Sequence, residues 1–188
     1  IGIAEFPIGT VAAGALMQYL YDTQKSSLSH LTHIYPYLTN KYMLLDSATR
    51  RNLELCETLR DKQKKGSLLG VLDKTKTAMG KRLLRKIICQ PLMDRLALET
   101  RYNGVDELVG NTVTLGEVRE LLAGIHDIER LMTRIVYGTA GGRELRSLCA
   151  TMQMLPAIKE QLTTLKSRIL SGINNDIDLL EELCDLID

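Results

Sequence analysis

Apolar residues recur every three or four positions along most of the chain, which is the spacing of one face of an α-helix. The pattern is clearest between Ser67 and Asp94, where a short apolar turn at 68–72 precedes a longer helix. Thr77 is predicted to cap that helix, since a threonine oxygen can accept from free N–H groups of a first turn. Pro91 predicts its end near Cys89 or Gln90, because the residue before a proline is disfavoured in helical geometry. The buried face is predicted to hold Leu83, Leu84, Ile87 and Ile88.

The longest periodic stretch runs over 143–170 and predicts one long helix of about 40 Å, at ~1.5 Å per residue. Pro156 interrupts it, and we expect a kink or brief break near Leu155 because proline removes a helical hydrogen bond. Ser171 and Gly172 predict a turn, and Asn174 or Asn175 is predicted to start a last helix. A rigid helix of this length would act as a lever.

Five further helices complete the prediction, at 10–22, from Asp46 to 50–53, at 94–109, at 114–125 and at 128–137. Pro7 and Gly9 are predicted to break the chain before the first of them, and 138–142 is predicted to break it later. Residues 42–45 are an apolar run too short to distinguish a strand from buried coil. The predicted fold is all-α: a multi-helix core domain with one long lever helix.

The composition agrees with a helical fold. Aromatic residues make up only 4% of the 188 residues, so the core must consist mainly of Leu, Ile, Val and Met, and Leu and Met lose little rotamer freedom in helices. The four cysteines are not spaced as CxxC pairs and are expected to be reduced thiols of a cytosolic protein. No apolar run is long enough to cross a bilayer, and a start at Ile1 is expected for an excised fragment.

One quarter of the sequence is strongly basic although the net charge is only +1. Nucleic-acid phosphates are bound by such clusters, and five residues are candidates for that contact: Lys74, Lys76, Lys81, Arg82 and Arg85. A solvated or domain-facing surface remains the alternative. Gly138, Gly141 and Gly142 could form an anion-binding nest or a flexible helix junction.

No catalytic or metal-binding pattern is complete. The string TKTAMGKR at 75–82 has the Gly-Lys pair of a phosphate loop but lacks its first glycine and its hydroxyl. His30 and His33 are spaced as HxxH, but no cysteine lies near to complete a four-ligand zinc site. His126 adjoins Asp127 without a nucleophile nearby, which indicates a helix-junction histidine rather than a catalytic base. We therefore expect no enzymatic activity and no cofactor in this chain.

Several long strings resemble the core segment of the MutS family of DNA mismatch repair proteins. The central one is SLLGVLDKTKTAMGKRLLRKIICQPLMD at 67–94. ALMQYLYDTQKSSLSHL and YMLLDSATRRNLEL precede it in the expected order, and DIERLMTRI and ELRSLCATMQMLPAIKEQL follow it. The resemblance covers nearly the whole chain. It departs from the family at Ile87, where many members have tryptophan.

The resemblance implies that residues 1–9 end a preceding connector domain and that 10–188 form the core, or lever, domain before a clamp insertion. It implies a parent protein that binds mismatched double-stranded DNA as a homodimer, uses ATP and Mg²⁺, and engages downstream repair factors such as MutL at the bacterial nucleoid. This chain would couple the ATPase, which lies outside it, to DNA binding. The alternative from the residues alone is a free-standing basic helical module that binds nucleic acid directly.

Overall fold

The computed structural model describes residues 5–24, 28, 31–36 and 41–187. Within these ranges the secondary structure is helical and no strand is present, which confirms the all-α prediction. Residues 1–4 of the N-terminal segment and His30 of the HxxH pair lie outside them. The described residues form eleven helices: α1 (Pro7–Gln24), α2 (Ser47–Asn52), α3 (Leu68–Leu72), α4 (Ala78–Cys89), α5 (Arg95–Gly110), α6 (Thr112–Ala123), α7 (Ile128–Val136), α8 (Gly142–Met152), α9 (Leu155–Leu162), α10 (Arg168–Asp176) and α11 (Glu181–Ile187).

The chain divides into two compact units, Ile1–Asn40 and Lys41–Asp188. The first contains α1, which is longer than the predicted 10–22. Pro7 does not break the chain there; it begins the helix, where its fixed φ fits and its missing N–H has no helical partner to lose. Two large apolar side chains of α1, Leu16 and Tyr19, are exposed, at 59% and 63%.

The apolar run at 42–45 is coil apart from one antiparallel bridge between Tyr42 and Leu92. The backbone N–H of Met43 donates to the Pro91 carbonyl at 2.8 Å, and that of Met93 donates to Lys41 at 3.2 Å. This bridge brings the start of the second unit beside the end of α4.

The helix boundaries between 46 and 94 agree with the sequence prediction because each cap is local. The side chains of Asp46, Ser67, Thr77 and Asp94 accept from the first turns of α2, α3, α4 and α5. α4 ends at Cys89, as Pro91 predicts. The predicted face is wrong at one position: Leu83 is 58% exposed, whereas Ile88 is buried.

The predicted long helix over 143–170 is wrong, because that stretch forms α8, α9 and the start of α10. The first break follows Met152, and α9 then begins at Leu155 with Pro156 in its first turn, in agreement with the break expected near Leu155. The second break, at 163–167, was not predicted. The predicted one-piece lever helix is therefore absent from the described residues.

Three other boundaries differ from the prediction. The helix predicted at Thr114 begins at Thr112 and is preceded by Asn111. Ser171 and Gly172 lie inside α10 rather than in a turn, and the last helix begins at Glu181 rather than at Asn174 or Asn175. At each place the apolar spacing persists through the boundary, so periodicity alone could not locate it.

Buried apolar residues of the second unit form three clusters rather than one core. The N-terminal cluster is centred on Leu55, Leu69 and Ile88. The middle cluster joins α5, α6, α9 and α10 around Ile158, Leu162, Leu165 and Leu170. The C-terminal cluster joins α7, α8 and α11 around Leu148, Cys149 and Met152.

Candidate functional site: the basic helix and its acidic partners

The basic residues proposed from sequence lie on α4 and on the loop before it. Thr77 orients the start of the helix, because its Oγ1 accepts from the Gly80 N–H at 2.9 Å. On its opposite side, α4 packs its apolar residues against Leu55 and Leu69. All five candidate residues are exposed: Lys74, Lys76, Lys81, Arg82 and Arg85.

Arg82 is distinguished from the other candidates by two carboxylates. Its guanidinium donates from Nη1 and Nη2 to the two Asp127 oxygens, at 2.9 and 2.6 Å, and from Nε to Glu129 at 2.8 Å. A two-pronged contact of this kind matches guanidinium to carboxylate geometry. The three side chains, hereafter the charged junction, join α4 to the start of α7. Arg82 therefore joins two helices through its carboxylate partners, and its assignment to a phosphate contact remains a prediction.

The charged junction alters the acid–base behaviour of its members. Hydrogen bonds from Arg82 are the main cause that lowers the pKa of Asp127, with a further contribution from the Arg130 N–H. Hydrogen bonds to Asp127 and Glu129 raise the pKa of Arg82 in turn. Asp127 also caps α7, since Oδ1 accepts from Arg130 at 3.3 Å. One carboxylate thus fixes both the start of α7 and its contact with α4.

A second ion pair orients the loop that leads into α4. Lys64 pairs with Asp73, whose side chain is only 5% exposed. Asp73 also accepts from the Thr75 backbone N–H at 3.1 Å and the Thr75 hydroxyl at 2.6 Å. The hydrogen bonds from Lys64 and then Thr75 hold the pKa of Asp73 well below its usual range. The charge of Lys64 is thereby balanced by a carboxylate of the same chain.

Lys74 is tied to the fold through its backbone rather than its side chain. Its carbonyl accepts from Arg119 Nη2 of α6 at 3.1 Å. The helix before this loop, α3, is tightly packed at Gly70, where a Cβ would lie 2.1 Å from the Lys64 carbonyl oxygen. These contacts fix the position of the backbone that carries the exposed ammonium groups of Lys74 and Lys76.

The glycine loop between α7 and α8 is occupied by a carboxylate of the chain. Glu144 accepts from the Gly141 N–H at 3.0 Å and from Arg134 Nη1 at 2.5 Å. The hydrogen bond from Gly141 is the main cause that lowers the pKa of Glu144. The anion nest proposed here from sequence would have to displace this side chain, so the geometry favours the helix-junction reading.

The string at 75–82 does not fit a nucleotide phosphate or its Mg²⁺. Gly80 lies in the first turn of α4, and its N–H already donates to Thr77. Arg82, at the position that would need a metal-binding hydroxyl, pairs with Asp127 and Glu129. Among the described residues, no group of three or more His, Cys, Asp or Glu side chains is arranged to hold a metal ion.

The two histidines among the described residues, His33 and His126, make contacts within the fold. His126 lies in the loop before α7, and its backbone N–H donates to Thr151 Oγ1 of α8 at 3.1 Å. His33 stacks on Tyr35 with ring centroids 6.2 Å apart.

The described helices include no candidate for a membrane span, since none combines the necessary length with an apolar sequence.

The acidic partners of this site are not predicted from the sequence. Asp127 is noted there only as the neighbour of His126, and Glu129 and Glu107 are not among the candidate residues. Glu107 of α5 accepts from the backbone N–H groups of Lys166 and Ser167, at 2.6 and 2.8 Å, and so stabilises the start of α10. These partners lie 45 to 60 residues apart in sequence, so no local spacing signals them.

Comparison with known proteins gives the same family throughout. Residues 48–188 match the family model described as MutS domain III. Over its whole length the chain is 52% identical to the DNA mismatch repair protein MutS of Lachnoclostridium phytofermentans and covers 20% of that protein. It is 45% identical to the MutS proteins of Halothermothrix orenii and Ruminiclostridium cellulolyticum, again over the whole chain, and covers 21% and 22% of them. The chain thus spans about a fifth of the length of these relatives.

Proposed function

The chain belongs to the MutS family of DNA mismatch repair proteins, and from that premise we propose that it is the helical core segment coupling ATP use to the grip on mismatched DNA. We assign residues 1–9 to the end of a connector domain and 10–188 to the core domain. The ATP and Mg²⁺ belong to parts of the parent protein outside this chain, since the string at 75–82 does not fit them.

The charged junction is the observation that carries this proposal. Coupling between distant sites needs elements that move together, and rigid helices joined by specific contacts provide them. Arg82 connects α4 to α7, although 45 residues separate it from Asp127. A displacement of α4 is therefore passed to the start of α7 rather than absorbed by the loops between them.

The route continues from α7 to the end of the described chain. Arg134 of α7 contacts Glu144 of α8, and the loop before α7 is bound to α8 through Thr151. α8 and α11 then share the C-terminal apolar cluster. Since no single long helix spans this region, we propose that α4, α7, α8 and α11 act as a linked series in place of a one-piece lever.

The activity and partners of the parent protein are proposed from the family to which the chain belongs. We propose that it binds mismatched double-stranded DNA as a homodimer, hydrolyses ATP, and acts with downstream repair factors such as MutL. We place it in the cytoplasm at the nucleoid. These proposals rest on the resemblance and on relatives named DNA mismatch repair protein MutS.

The test is Arg82→Gln in the full-length protein that contains this chain. The variant removes the charge that binds Asp127 and Glu129 and leaves the apolar clusters intact. Mismatched-duplex affinity is measured with and without ATP, together with ATP binding. Coupling between two sites is typically ~1–3 kcal/mol, so we expect the ratio of the two affinities to move several-fold towards one while ATP still binds.

Lys81→Gln is the matched control, because it removes a neighbouring exposed charge of the same helix. Its affinity ratio should equal that of the wild type. Asp127→Asn should reproduce the Arg82 result, since it breaks the junction from the other side. A wild-type ratio in folded Arg82→Gln and Asp127→Asn would contradict the proposal.

The alternative, a module that binds nucleic acid by itself, makes a different prediction. Phosphate contacts by Lys74, Lys76, Lys81 and Arg85 would give the isolated chain DNA binding that weakens steeply with salt. Lys81→Gln would then weaken binding equally with and without ATP. The contacts of Arg82 and Lys64 with carboxylates favour the coupling role.

A further inference from the structure

The four cysteines of the chain fall into two pairs that the fold brings together. Cys149 Sγ lies 2.7 Å from Cys184 Sγ, and Cys56 Sγ lies 3.3 Å from Cys89 Sγ. All four are thiols rather than disulfides. The members of each pair are more than 30 residues apart in sequence, so both pairings are products of tertiary packing.

The Cys149–Cys184 pair joins a buried sulfur to one at the edge of a cavity. Cys149 lies on α8 inside the C-terminal cluster and is only 3% exposed. Cys184 lies on α11 and is half-buried. It lines an open cavity of about 270 Å³ whose wall also includes Pro156 and Asp185. A small molecule can therefore reach Cys184 from the cavity, whereas Cys149 lies buried on the other side of the Cys184 sulfur.

We propose that Cys149 and Cys184 form a modification site at which hydrogen peroxide converts the two thiols to a disulfide. A disulfide needs its sulfurs about 2.0 Å apart, so these two atoms must approach by less than about 1 Å. The inference concerns this chain alone and does not depend on the coupling role proposed above.

The reaction takes place in two balanced steps. The Cys184 thiolate attacks one peroxide oxygen; an S–O bond forms, the O–O bond breaks, and the departing hydroxide takes a proton to become water. Cys184 is then a sulfenic acid, oxidised by two electrons. Cys149 attacks that sulfur, an S–S bond forms, the S–O bond breaks, and the second hydroxide leaves as water with the Cys149 proton. A dithiol reductant reverses the change.

The second pair serves as an internal comparison. Cys56 and Cys89 are farther apart, and burial followed by the hydrogen bond with Cys89 raises the pKa of Cys56. Because the thiolate is the nucleophile, a raised pKa slows attack on peroxide by Cys56. The Cys56 and Cys89 sulfurs must also approach each other further than those of Cys149 and Cys184, from 3.3 Å against 2.7 Å. We therefore expect the Cys149–Cys184 pair to oxidise first.

Oxidation would fix α11 covalently to α8. Residues 177–180, which connect α10 to α11, are not helical. α11 is otherwise held to α8 by apolar packing and by weak hydrogen bonds from each thiol to the other cysteine's carbonyl oxygen, at 3.9 Å. The bond closes a loop of 35 residues, and closing a loop of this size in the unfolded chain raises the melting temperature by roughly 10 °C.

The test treats the folded, reduced chain with hydrogen peroxide, quenches it with an alkylating reagent at intervals, and locates cross-linked peptides by mass spectrometry. We expect a peptide pair joining Cys149 to Cys184 before any joining Cys56 to Cys89. The melting temperature should rise with the same time course and return on addition of dithiothreitol.

Two variants make the result specific. Cys184→Ser should abolish both the cross-link and the thermal shift, whereas the double variant Cys56→Ser/Cys89→Ser should retain both. Circular dichroism confirms that each variant is folded. The proposal is overturned if Cys184 is oxidised to a sulfinic acid while Cys149 is still alkylated, or if the cross-link forms only after denaturation.

Discussion

Two junctions of the second unit connect helices by opposite means. At the charged junction, Arg82 and Glu129 have side chains that are 49% and 68% exposed. At the junction of α8 with α11, Leu148 and Met152 are 5% and 2% exposed and pack with Cys184 and Ile187. The first pair of helices is joined by direction-dependent hydrogen bonds in contact with water, and the second by apolar contact area.

This difference separates stability from geometry. Exposed ion pairs gain little free energy because water and salt screen them, whereas burying a leucine side chain is worth about 1.5–3 kcal/mol. A guanidinium on two carboxylates nevertheless fixes an orientation that apolar contacts leave adjustable. We infer that the α8–α11 junction stabilises the fold and that the charged junction sets the position of α4 against α7.

The largest effect is expected at Leu148. Leu148→Ala removes a buried side chain of the C-terminal cluster and should lower the free energy of unfolding by ~2–5 kcal/mol, through lost burial and the cavity left behind. Urea unfolding followed by circular dichroism measures the loss. Leu186→Ala is the matched control on α11, where the side chain is 81% exposed, and it should change stability by less than about 0.5 kcal/mol. Equal losses in both variants would show that the cluster does not have the stabilising role assigned to it.

A substitution that usually stabilises helices should destabilise α5. Gly104 is buried where α5 meets α10, and a Cβ there would lie 2.3 Å from Ile169 Cγ2. We expect Gly104→Ala to lower the free energy of unfolding by ~1–3 kcal/mol, because the crowding exceeds the helix-propensity gain. Gly116→Ala in α6 should instead stabilise by up to about 1 kcal/mol, since no atom beyond its chain neighbours and the adjoining helix backbone lies within 4 Å of its Cβ position. The same sign of change in both variants, measured by urea unfolding, would refute this account of the packing.

The smallest effect is expected at Asp127, and it should depend on pH. Its pKa is lowered in the folded state, mainly by hydrogen bonds from Arg82, so the folded state favours the charged carboxylate. The stabilisation is therefore present above the unfolded value of about 3.9 and is lost as the pH falls through the lower folded value. Unfolding midpoints in urea between about pH 5 and 2 should fall less steeply for Asp127→Asn than for the wild type.

Salt and a second variant sharpen that measurement. High salt screens exposed charges, so the difference between Asp127→Asn and the wild type at neutral pH should shrink in about 1 M NaCl. Asp106→Asn, an exposed position on α5, serves as the control and should follow the wild-type curve. A wild-type acid slope in Asp127→Asn would mean that the charged junction contributes no pH-dependent stability.

The positions of several helices could be read directly from the sequence. Asp46, Thr77 and Asp94 cap α2, α4 and α5 as their residue types predict. Caps and proline act over one turn of chain, so their effect does not depend on what packs nearby. The apolar spacing likewise identified the all-α class, and the quoted strings identified the family. The assignment of phosphate contacts to Lys74, Lys76, Lys81, Arg82 and Arg85 remains a prediction.

By itself, then, the sequence determined where the locally capped helices α2, α4 and α5 start, which residues are apolar, and which family the chain belongs to, because those properties reside in short strings. Only the tertiary structure decided that 143–170 is divided a second time, since Glu107 from α5 stabilises the start of α10. It also decided that Arg82 faces Asp127 and Glu129, and that four scattered cysteines form two pairs. The reason in each case is that the partners lie tens of residues apart, and only the packing of one helix against another brings them within contact distance.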